Sequence, residues 1–374
     1  MKATAALVRE VGGKFCLEEV DVAEPRGNEV RVRIVGVGMC HTDLVARDGF
    51  PVPMPIVLGH EGSGVVEALG PDVEGLEIGD HVVLSFNSCG ACPTCGDDEP
   101  AYCHNFMGLN FAGVRLEDGT SPLSQGDAVV HGNFFGQSSF ASVAIANARN
   151  TVKVDKSLPL EILGPLGCGI QTGAGAVVLS LGLKPGQSLA IFGGGAVGLS
   201  GLLAARAVGA GTVIVVEPNA ERGKLALELG ATHVVNPRET EDVLAAVKEL
   251  SGGGVNCAFD TTGIPAVIGT AFEALGPHGI LGMVAVPPPE AMMPASLMSG
   301  LVRGVSAKFI TEGDADPQSF IPQMLDWHKA GKFPFERLIK TFPFDQINEA
   351  AHASEDGSSI KPVLVLAGSG RPAG

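Results

Sequence analysis

The chain has 374 residues, of which 45% are hydrophobic. It is too long for one compact core, so two domains are expected. Its net charge of -16 excludes the basic face that binding to nucleic-acid phosphates requires. No secretory signal precedes the first strand-like run, MKATAALVRE, and no stretch of about 20 uninterrupted apolar residues could span a bilayer. A cytoplasmic protein with reduced thiols is therefore predicted.

About the first 150 residues contain many short strand patterns separated by glycine-rich turns. In VRVRIVGVGMC the apolar residues alternate at Val30, Val32 and Ile34 before the run becomes continuously apolar, and EGSGVVEALG and GDHVVLSF behave similarly. Alternation with a period of two is typical of half-buried strands. This part of the chain therefore predicts a compact, mostly antiparallel β domain.

Four of the eight cysteines lie within CGACPTCGDDEPAYC, a C-x2-C-x2-C-x7-C pattern formed by Cys89, Cys92, Cys95 and Cys103. In a reducing compartment, clustered cysteines bind a metal more often than they form a disulfide knot. Four thiolates close a tetrahedral zinc shell and leave no position for water or substrate. The pattern predicts a structural zinc site, and the alternative is four unconnected surface thiols.

From about residue 170 strand and helix patterns alternate. The strand runs are SLAIF, GTVIVVE, THVVN, NCAFD and GILGMVAV, and helical segments such as VGLSGLLAARAVG separate them. Such alternation indicates a doubly wound parallel sheet with right-handed crossovers. The tail adds one helix candidate, PQSFIPQMLDWHKAG, and one strand run, KPVLVLAG.

A glycine-rich turn follows the first of these strands, with Gly193, Gly195 and Gly198 in the pattern G-x-G-x-x-G. The pattern alone is weak in a chain with 52 glycines, but here it joins a strand to a helix. Glu217 stands roughly 20 residues further on, where a carboxylate accepts hydrogen bonds from both adenosine-ribose hydroxyls and repels a 2′-phosphate. NAD is therefore favoured over NADP, although Arg222 is close enough in sequence to hold a phosphate. The alternative is a glycine-rich turn in an ordinary βαβ unit.

A second set of candidate metal ligands is Cys40 in GVGMCHTD, His60 in LGHEGSG and Cys168 in GPLGCGIQTGAG. Taken singly, each is interpreted as a buried thiol or a core histidine. Together they supply two cysteines and one histidine from glycine-flanked loops, where a side chain can turn inward. Their wide spacing does not by itself prove a site.

These features together resemble the zinc-dependent medium-chain alcohol dehydrogenases over essentially the whole chain. GHEGSGVV is similar to the family's GHE signature, CGACPTCGDDEPAYC to its structural zinc lobe and GGGAVG to its cofactor loop. FFGQSSFA and the chain length are most similar to the bacterial aryl- or benzyl-alcohol branch. The resemblance implies an α/β protein. It would have a β-rich, GroES-like catalytic zinc-binding domain over 1–169 and 311–374, and a doubly wound, parallel-sheet (Rossmann) NAD-binding domain over 170–310.

The resemblance also implies an open metal site and the groups around it. Asp43 matches the carboxylate that orients the zinc histidine, and Glu61 matches the acid that lies behind the metal. Thr42 matches the hydroxyl that bonds the substrate oxygen. The catalytic zinc ligands implied in this way are Cys40, His60 and Cys168.

Further positions carry over to the cofactor. Thr172 and Val197 match the residues on either side of the nicotinamide. Val284 to Val286 match backbone groups that meet its carboxamide. His41 and Lys361 match basic groups near the pyrophosphate. For His41 and Lys361 the alternative is a solvated side chain.

The function implied is reversible hydride transfer between a bulky primary alcohol (aryl, allylic or terpenoid) and NAD, with two zinc ions per chain. One alternative is an NADP-linked reductase of the same fold whose metal is absent or purely structural. Another is a non-enzymatic zinc- and dinucleotide-binding protein. The expected partners are small-molecule alcohols and aldehydes and copies of the same chain, but no nucleic acid and no membrane. As in the family, a dimer or tetramer would join through edge strands, here in GMVAVPPPEAMMPASLM.

Two positions depart from the familiar ethanol-type enzymes. Ser85 stands where those enzymes carry a large aromatic residue in the substrate pocket, which predicts room for a bulky alcohol. Val45 stands where they carry the histidine that releases the alcohol proton to water. Because valine cannot accept a proton, the proton is predicted to leave through the cofactor ribose and ordered water.

Overall fold

The computed structural model describes residues 1–288 and 290–366, which form two compact units. The first comprises Met1–Cys168, Asp316–Pro322 and the described part of Glu336–Gly374, and the second comprises Gly169–Ala315 and Gln323–Phe335. The units differ from the expected domains at residue 169, at 311–315 and at 323–335. Gly313 joins the second unit because it packs against the backbone of Gly175. The predicted end of the first domain, 367–374, lies outside the described residues.

The strands of the described residues are numbered in chain order. They are β1 (Lys2–Val8), β2 (Cys16–Val22), β3 (Glu29–Gly38), β4 (Ile56–Val57), β5 (Gly62–Leu69), β6 (His81–Leu84), β7 (Leu123–Gln125), β8 (Ala128–Val130), β9 (Val143–Asn147), β10 (Thr151–Val154), β11 (Leu189–Phe192), β12 (Val213–Val216), β13 (His233–Val235), β14 (Val255–Asp260), β15 (Leu275–Met283), β16 (Ser306–Phe309), β17 (Ile339–Pro343) and β18 (Lys361–Val365).

The helices are numbered in the same way. They are α1 (His41–Asp48), α2 (Pro93–Gly96), α3 (Phe106–Phe111), α4 (Gly169–Gly175), α5 (Ala196–Ala207), α6 (Ala220–Glu228), α7 (Val243–Leu250), α8 (Pro265–Glu273), α9 (Leu297–Arg303), α10 (Pro317–Lys329) and α11 (Ile347–Glu355). Among the described residues, no helix combines the length and the apolar character needed to cross a membrane.

The first unit consists of two sheets that are antiparallel except between β17 and β18. A five-stranded sheet has the order β4-β1-β2-β7-β8, and a seven-stranded sheet has the order β10-β6-β5-β3-β18-β17, with β9 paired to β3. In β3 the alternating residues Val30, Val32 and Ile34 are buried, while the arginines between them are half-buried. The predicted β-rich domain is confirmed, and its core lies where the alternation placed it.

The second unit is built on a six-stranded sheet in the order β13-β12-β11-β14-β15-β16, and every strand pair in it is parallel. The strand order reverses between β11 and β14, as in a doubly wound sheet, so the predicted class is confirmed. All five predicted strand runs are strands. The sixth strand, β16, was not predicted, because SAKF is short and its four residues are exposed.

One expectation about the sheet edge is wrong. In this segment Gly282 and Met283 are the last residues of β15, which pairs with β14 on one side and β16 on the other. An internal strand has no free hydrogen-bonding edge with which to meet a second chain. In the described part of the sheet, the free edge on this side belongs to β16.

Candidate active site

Cys40 lies just after β3, at the N-cap of α1. Its backbone N–H donates to Asp43 Oδ2 at 3.0 Å, so the side chain of the third helical residue closes the helix start. The Thr42 hydroxyl lies 3.7 Å from the Cys40 sulfur. A thiol at a helix N-terminus faces the positive end of the helix dipole, which favours the thiolate.

The other oxygen of Asp43 orients His60. Asp43 Oδ1 lies 2.8 Å from His60 Nδ1 and accepts the Gly59 N–H at 3.0 Å. Both the histidine and the aspartate are fully buried. His60 Nε2, by contrast, has no hydrogen-bond partner anywhere in the described chain. The aspartate therefore leaves Nε2 as the ring nitrogen available to a metal.

Cys168 follows a tight turn, Gly164–Gly167, and is 6% exposed. A Cβ on Gly167 would overlap the carbonyl oxygen of Leu84, so only glycine allows the turn to lie against β6. The Ser85 hydroxyl donates to the Gly167 carbonyl at 2.6 Å. The end of β6 thus holds the turn that presents Cys168.

The structure brings these side chains together although they come from distant parts of the chain. One ligand atom from each of Cys40, His60, Cys168 and Glu61 lies within 4.8 Å of the others. Two thiolates and one imidazole with a free Nε2 are a donor set that fits zinc. Because Glu61 is paired with Lys361, the three predicted residues could hold a metal ion and leave a fourth position open.

Glu61 forms a buried ion pair with Lys361. The Lys361 ammonium donates to both carboxylate oxygens of Glu61, at 2.8 and 2.9 Å, and to the Met39 carbonyl at 3.3 Å. Although burial works against charge on Lys361, the Glu61 carboxylate raises the pKa of the ammonium group. The alternative of a solvated Lys361 is therefore wrong: the side chain is 3% exposed and neutralises the acid behind the metal site.

Neighbouring side chains within the site shift the pKa values of Cys40 and His60. A hydrogen bond with Cys168, opposed by burial and assisted by Lys361, holds the pKa of Cys40 well below its ordinary value. Burial disfavours a charge on His60, but Asp43 and Cys40 raise the pKa of its imidazole well above the ordinary value. A proton on this imidazole occupies the position that a metal ion would take. Metal binding would therefore release that proton.

The four clustered cysteines form a second site in the first unit. One ligand atom from each of Cys89, Cys92, Cys95 and Cys103 lies within 4.8 Å of the others. All eight cysteines lie in the described residues and none is in a disulfide. Backbone N–H groups point at the sulfurs, among them Cys89 N–H to Cys103 Sγ at 3.2 Å and Cys92 N–H to Cys89 Sγ at 3.3 Å. This tetrathiolate set fits a closed zinc site.

The sulfurs of this lobe are unequally acidic. The Thr94 hydroxyl at 3.3 Å, together with the His104 N–H at 3.5 Å, lowers the pKa of Cys92 to about 5. Burial raises the pKa of Cys103 to about 12. A metal ion is what would keep the Cys103 thiol deprotonated at neutral pH.

The glycine loop lies between β11 and α5, as predicted. Gly193 has φ of +104°, a conformation that disfavours any other residue, and a Cβ on Gly198 would overlap the Gly193 carbonyl. A Cβ on Gly195 would meet nothing within 4 Å, so the backbone at the start of α5 is open to a ligand. An open helix N-terminus of this kind fits a pyrophosphate.

Glu217 follows β12 and reaches back to this loop. Its carboxylate accepts the Gly194 N–H at 2.6 Å and the Asn219 N–H at 2.8 Å, and it is 5% exposed. Arg222 lies in the first turn of α6, and its backbone N–H donates to the side chain of Asn219, the N-cap of that helix. Glu217 therefore stands beside the glycine loop, where the sequence predicted it.

The predicted nicotinamide positions lie on α4, on α5 and just after β15. A Cβ on Gly173 would overlap the Val197 carbonyl, so this glycine brings the neighbouring Thr172 close to the start of α5. Val284 follows β15, and its N–H donates to the Asp260 carbonyl at 3.3 Å. Val286 is 87% exposed.

Known proteins and families match the chain over nearly its full length. The Alcohol dehydrogenase GroES-like domain family matches residues 26–156, and the Zinc-binding dehydrogenase family matches residues 196–330. Geraniol dehydrogenase from Castellaniella defragrans is 59% identical over 366 residues, which cover 98% of each protein. The chain belongs to the zinc-dependent medium-chain alcohol dehydrogenases. It is thus an alcohol dehydrogenase, an enzyme that uses zinc and a nicotinamide dinucleotide.

Two solved structures share the whole architecture of this alcohol dehydrogenase. An alcohol dehydrogenase zinc-binding domain protein from Burkholderia ambifaria superposes with a TM-score of 0.96 at 49% identity, covering 98% of this chain and 99% of the other. Benzyl alcohol dehydrogenase from Acinetobacter calcoaceticus superposes with a TM-score of 0.95 at 45% identity, covering 98% and 100%. The predicted family and fold are confirmed.

An aromatic cluster that the sequence did not predict lies beside His60. The Phe135 ring stacks on His60 with centroids 4.4 Å apart, and Phe111 packs on Phe135 at 5.0 Å. Phe50 packs in turn on Phe111, also at 5.0 Å. Phe135 has φ of +52° and its carbonyl accepts from Asn150 Nδ2 at 3.1 Å, so the ring is held in a strained turn. The sequence signal for this cluster is the adjacent pair of phenylalanines in FFGQSSFA.

Helix α1 carries His41, Thr42 and Val45. His41 is exposed and Val45 is half-buried, and both line a cavity of about 470 Å³ together with Phe50. The cavity leaves room beside Val45 for a larger side chain. Its wall at residue 45 offers no group that accepts a proton.

We predict that alcohol oxidation lacks a titration near pH 6.5 and rises toward alkaline pH, because no imidazole stands at position 45 to act as a base. Val45→His should raise the rate of alcohol oxidation at neutral pH by up to about tenfold. This is below the usual effect of a general base, because water already accepts part of the released protons. The measurement is kcat against pH for both proteins. His41→Gln should change the affinity for the dinucleotide instead. If His41→Gln removed a neutral-pH titration and external amines restored the rate, His41 would be the base.

Proposed function

We propose that this alcohol dehydrogenase oxidises bulky, apolar primary alcohols (allylic, terpenoid or aryl) with NAD, reversibly with the aldehydes. The aromatic cluster that packs from His60 out to the half-buried Phe50 carries the proposal, because it places apolar rings against His60 and continues to the cavity that Phe50 lines. The names of two relatives, geraniol dehydrogenase and benzyl alcohol dehydrogenase, support the same class of alcohols.

The residues of the site would divide the work of catalysis. A bound zinc ion would act as a Lewis acid that lowers the pKa of the alcohol hydroxyl, and the nicotinamide would accept the hydride. Cys40, His60 and Cys168 would hold the metal, and Asp43 keeps the imidazole in one orientation through its 2.8 Å contact. The Thr42 hydroxyl would accept a hydrogen bond from the alcohol and relay its proton by releasing its own hydroxyl proton. Lys361 keeps the Glu61 charge neutralised behind the metal.

Substrate competition tests this proposal. An apolar pocket gains about 0.8 kcal/mol for each CH2 equivalent that it buries, so benzyl alcohol or geraniol should exceed ethanol in kcat/KM by about 100-fold or more. NAD reduction is followed by absorbance before and after chelation of the metal. Ethanol being the better substrate, or full activity after the metal has been removed, would contradict the proposal.

We propose NAD as the preferred dinucleotide because the Glu217 carboxylate lies beside the glycine loop, where it would meet the adenosine ribose. A buried carboxylate that already binds two backbone N–H groups still has acceptor capacity for ribose hydroxyls. The same charge would repel a 2′-phosphate. Arg222 is the nearby positive charge that would favour NADP, but it lies on the helix after Glu217 rather than in place of it.

Glu217→Ala is expected to lower kcat/KM for NAD by about 10- to 100-fold, since hydrogen bonds to a charged group are lost, and to change the value for NADP far less. Glu221→Ala removes an exposed carboxylate from the same helix region and should leave both values within about twofold. A wild-type preference for NADP, or equal losses for the two cofactors, would overturn the assignment.

We propose a homo-oligomer, dimer or tetramer, in which β16 meets a second copy of the chain. The β16 strand has a free edge in the described sheet, and its Phe309 is 76% exposed. The nearby α9 adds Leu297, Leu301 and Val302, all at least 77% exposed. A free strand edge next to exposed apolar side chains is typical of a surface that another chain covers.

Phe309→Asp should shift the mass measured by light scattering toward the monomer, because a charge would then be buried in the interface. Ile78→Asp places the same charge on a similarly exposed apolar residue of the first unit and should leave the mass unchanged. A wild-type monomer, or a Phe309→Asp protein of wild-type mass, would contradict the proposed surface.

A further inference from the structure

The turn after β14 lies between two segments of the proposed dinucleotide site. The strand order places β14 between β11, which leads into the glycine loop, and β15, which leads to Val284. In doubly wound sheets, ligands bind outside the carboxyl ends of the strands where the order reverses, here between β11 and β14. Residues 260–263 form this turn, and sequence analysis assigned them no role.

Thr261 ties this turn to the glycine loop. Its N–H donates to the Phe192 carbonyl at 3.0 Å, as a continuation of the sheet. Its hydroxyl lies 3.0 Å from the same carbonyl and 3.3 Å from the Gly193 carbonyl. A Cβ on Gly193 would overlap this hydroxyl, so the first glycine of the loop and Thr261 fit each other directly.

Asp260 in turn holds the backbone of the turn. Its fully buried carboxylate accepts the Thr262 hydroxyl at 2.7 Å and the Gly263 N–H at 3.0 Å. Gly263 has φ of +67°, and a Cβ there would crowd Ala285. The turn is therefore held by the Asp260 carboxylate and by its packing against Ala285. If the glycine loop moved, the hydrogen bonds from the Thr261 hydroxyl to it would break.

We propose that Thr261 is a positioning residue for the dinucleotide: its hydroxyl holds the Phe192 and Gly193 carbonyls so that the loop and the start of α5 are preformed for the pyrophosphate. The inference rests on the proposed cofactor site. Gly193 has a conformation that few residues adopt, and an untethered glycine turn samples many others. Ordering such a loop on binding costs affinity, whereas a loop that is already ordered avoids that cost.

The test compares the affinity of the metal-loaded protein for NADH across variants, by NADH fluorescence and without alcohol. Thr261→Val keeps the shape of the side chain and removes the hydroxyl, and it should weaken binding by about five- to tenfold. Thr261→Ala should show a similar loss, while Thr261→Ser should bind within about twofold of wild type. In turnover the loss should fall on KM for NAD rather than on kcat.

Thr270→Val is the matched control. The Thr270 hydroxyl also donates to a backbone carbonyl, that of Ala266 at 3.1 Å, but on α8 away from the loop. This variant should bind NADH as wild type does. If Thr261→Val and Thr261→Ala bound NADH as tightly as wild type does, the role of Thr261 would be overturned. The same would follow if Thr261→Ser lost as much NADH affinity as those two variants. A wild-type protein that binds no NADH would instead overturn the cofactor site itself.

Discussion

Cys168→Ser is expected to remove alcohol oxidation while the protein stays folded. Cys168 is one of three proposed ligands of the catalytic zinc, and its sulfur lies within 4.8 Å of the ligand atoms of Cys40 and His60. Altering an outer-sphere partner of a metal ligand typically costs 10- to 100-fold in affinity or activity, so loss of a ligand should cost more than about 100-fold. Stability should change little, because the buried turn before Cys168 is held by Gly167 and Ser85.

Metal analysis, turnover and thermal unfolding distinguish the possible outcomes. The variant should retain one zinc per chain against two in wild type, with a Tm within a few degrees of the wild-type value. Cys257→Ser is the matched control, since Cys257 is equally buried and belongs to neither metal cluster. A Cys168→Ser protein that kept its turnover, or that lost only stability, would contradict an open catalytic site at this position.

Cys92→Ser should have the opposite effect: a loss of stability and soluble yield, with the remaining folded molecules active. The pKa of the Cys92 thiol is lowered to about 5, because Thr94 and the His104 N–H stabilise its thiolate. A structural zinc ion contributes directly to folding, so losing its ligand should lower Tm by about 10 °C or more. The catalytic ligands come from other segments and remain in place.

The comparison uses zinc content per chain, Tm, and kcat corrected for the folded fraction. Cys16→Ser changes an exposed thiol outside both clusters and should match wild type in all three. If Cys92→Ser abolished turnover in fully folded protein, the lobe would take part in catalysis. If it changed neither Tm nor zinc content, the four cysteines would not hold a metal.

The amino-acid sequence by itself was sufficient for features that depend on neighbouring residues. Alternation at Val30, Val32 and Ile34 predicted β3, and strand–helix alternation predicted the five strands β11 to β15. The four lobe cysteines and the three loop glycines lie close together along the chain, so short turns alone bring them near each other. In each case the physical reason is local, since backbone preference and side-chain periodicity act over a few residues.

The open metal site was predicted less directly. Nothing in the spacing of Cys40, His60 and Cys168 requires that they meet, and the resemblance to a family supplied that step. The contact between Asp43 and His60 depends on how β3, α1 and the loop before β5 come together. Such contacts follow from topology, which sequence periodicity does not specify.

Only the tertiary structure decided the partners of long or buried polar side chains. Lys361 and Glu61 are 300 residues apart, and the Lys361 side chain could equally have reached solvent or a phosphate. The same holds for Thr261, whose hydroxyl meets the glycine loop because β14 lies next to β11 in the sheet. It holds again for β16, a short exposed strand whose place at the sheet edge comes from its pairing with β15. A sequence pattern reports which face of an element is apolar, whereas the identity of a contact between distant segments depends on how the whole chain packs.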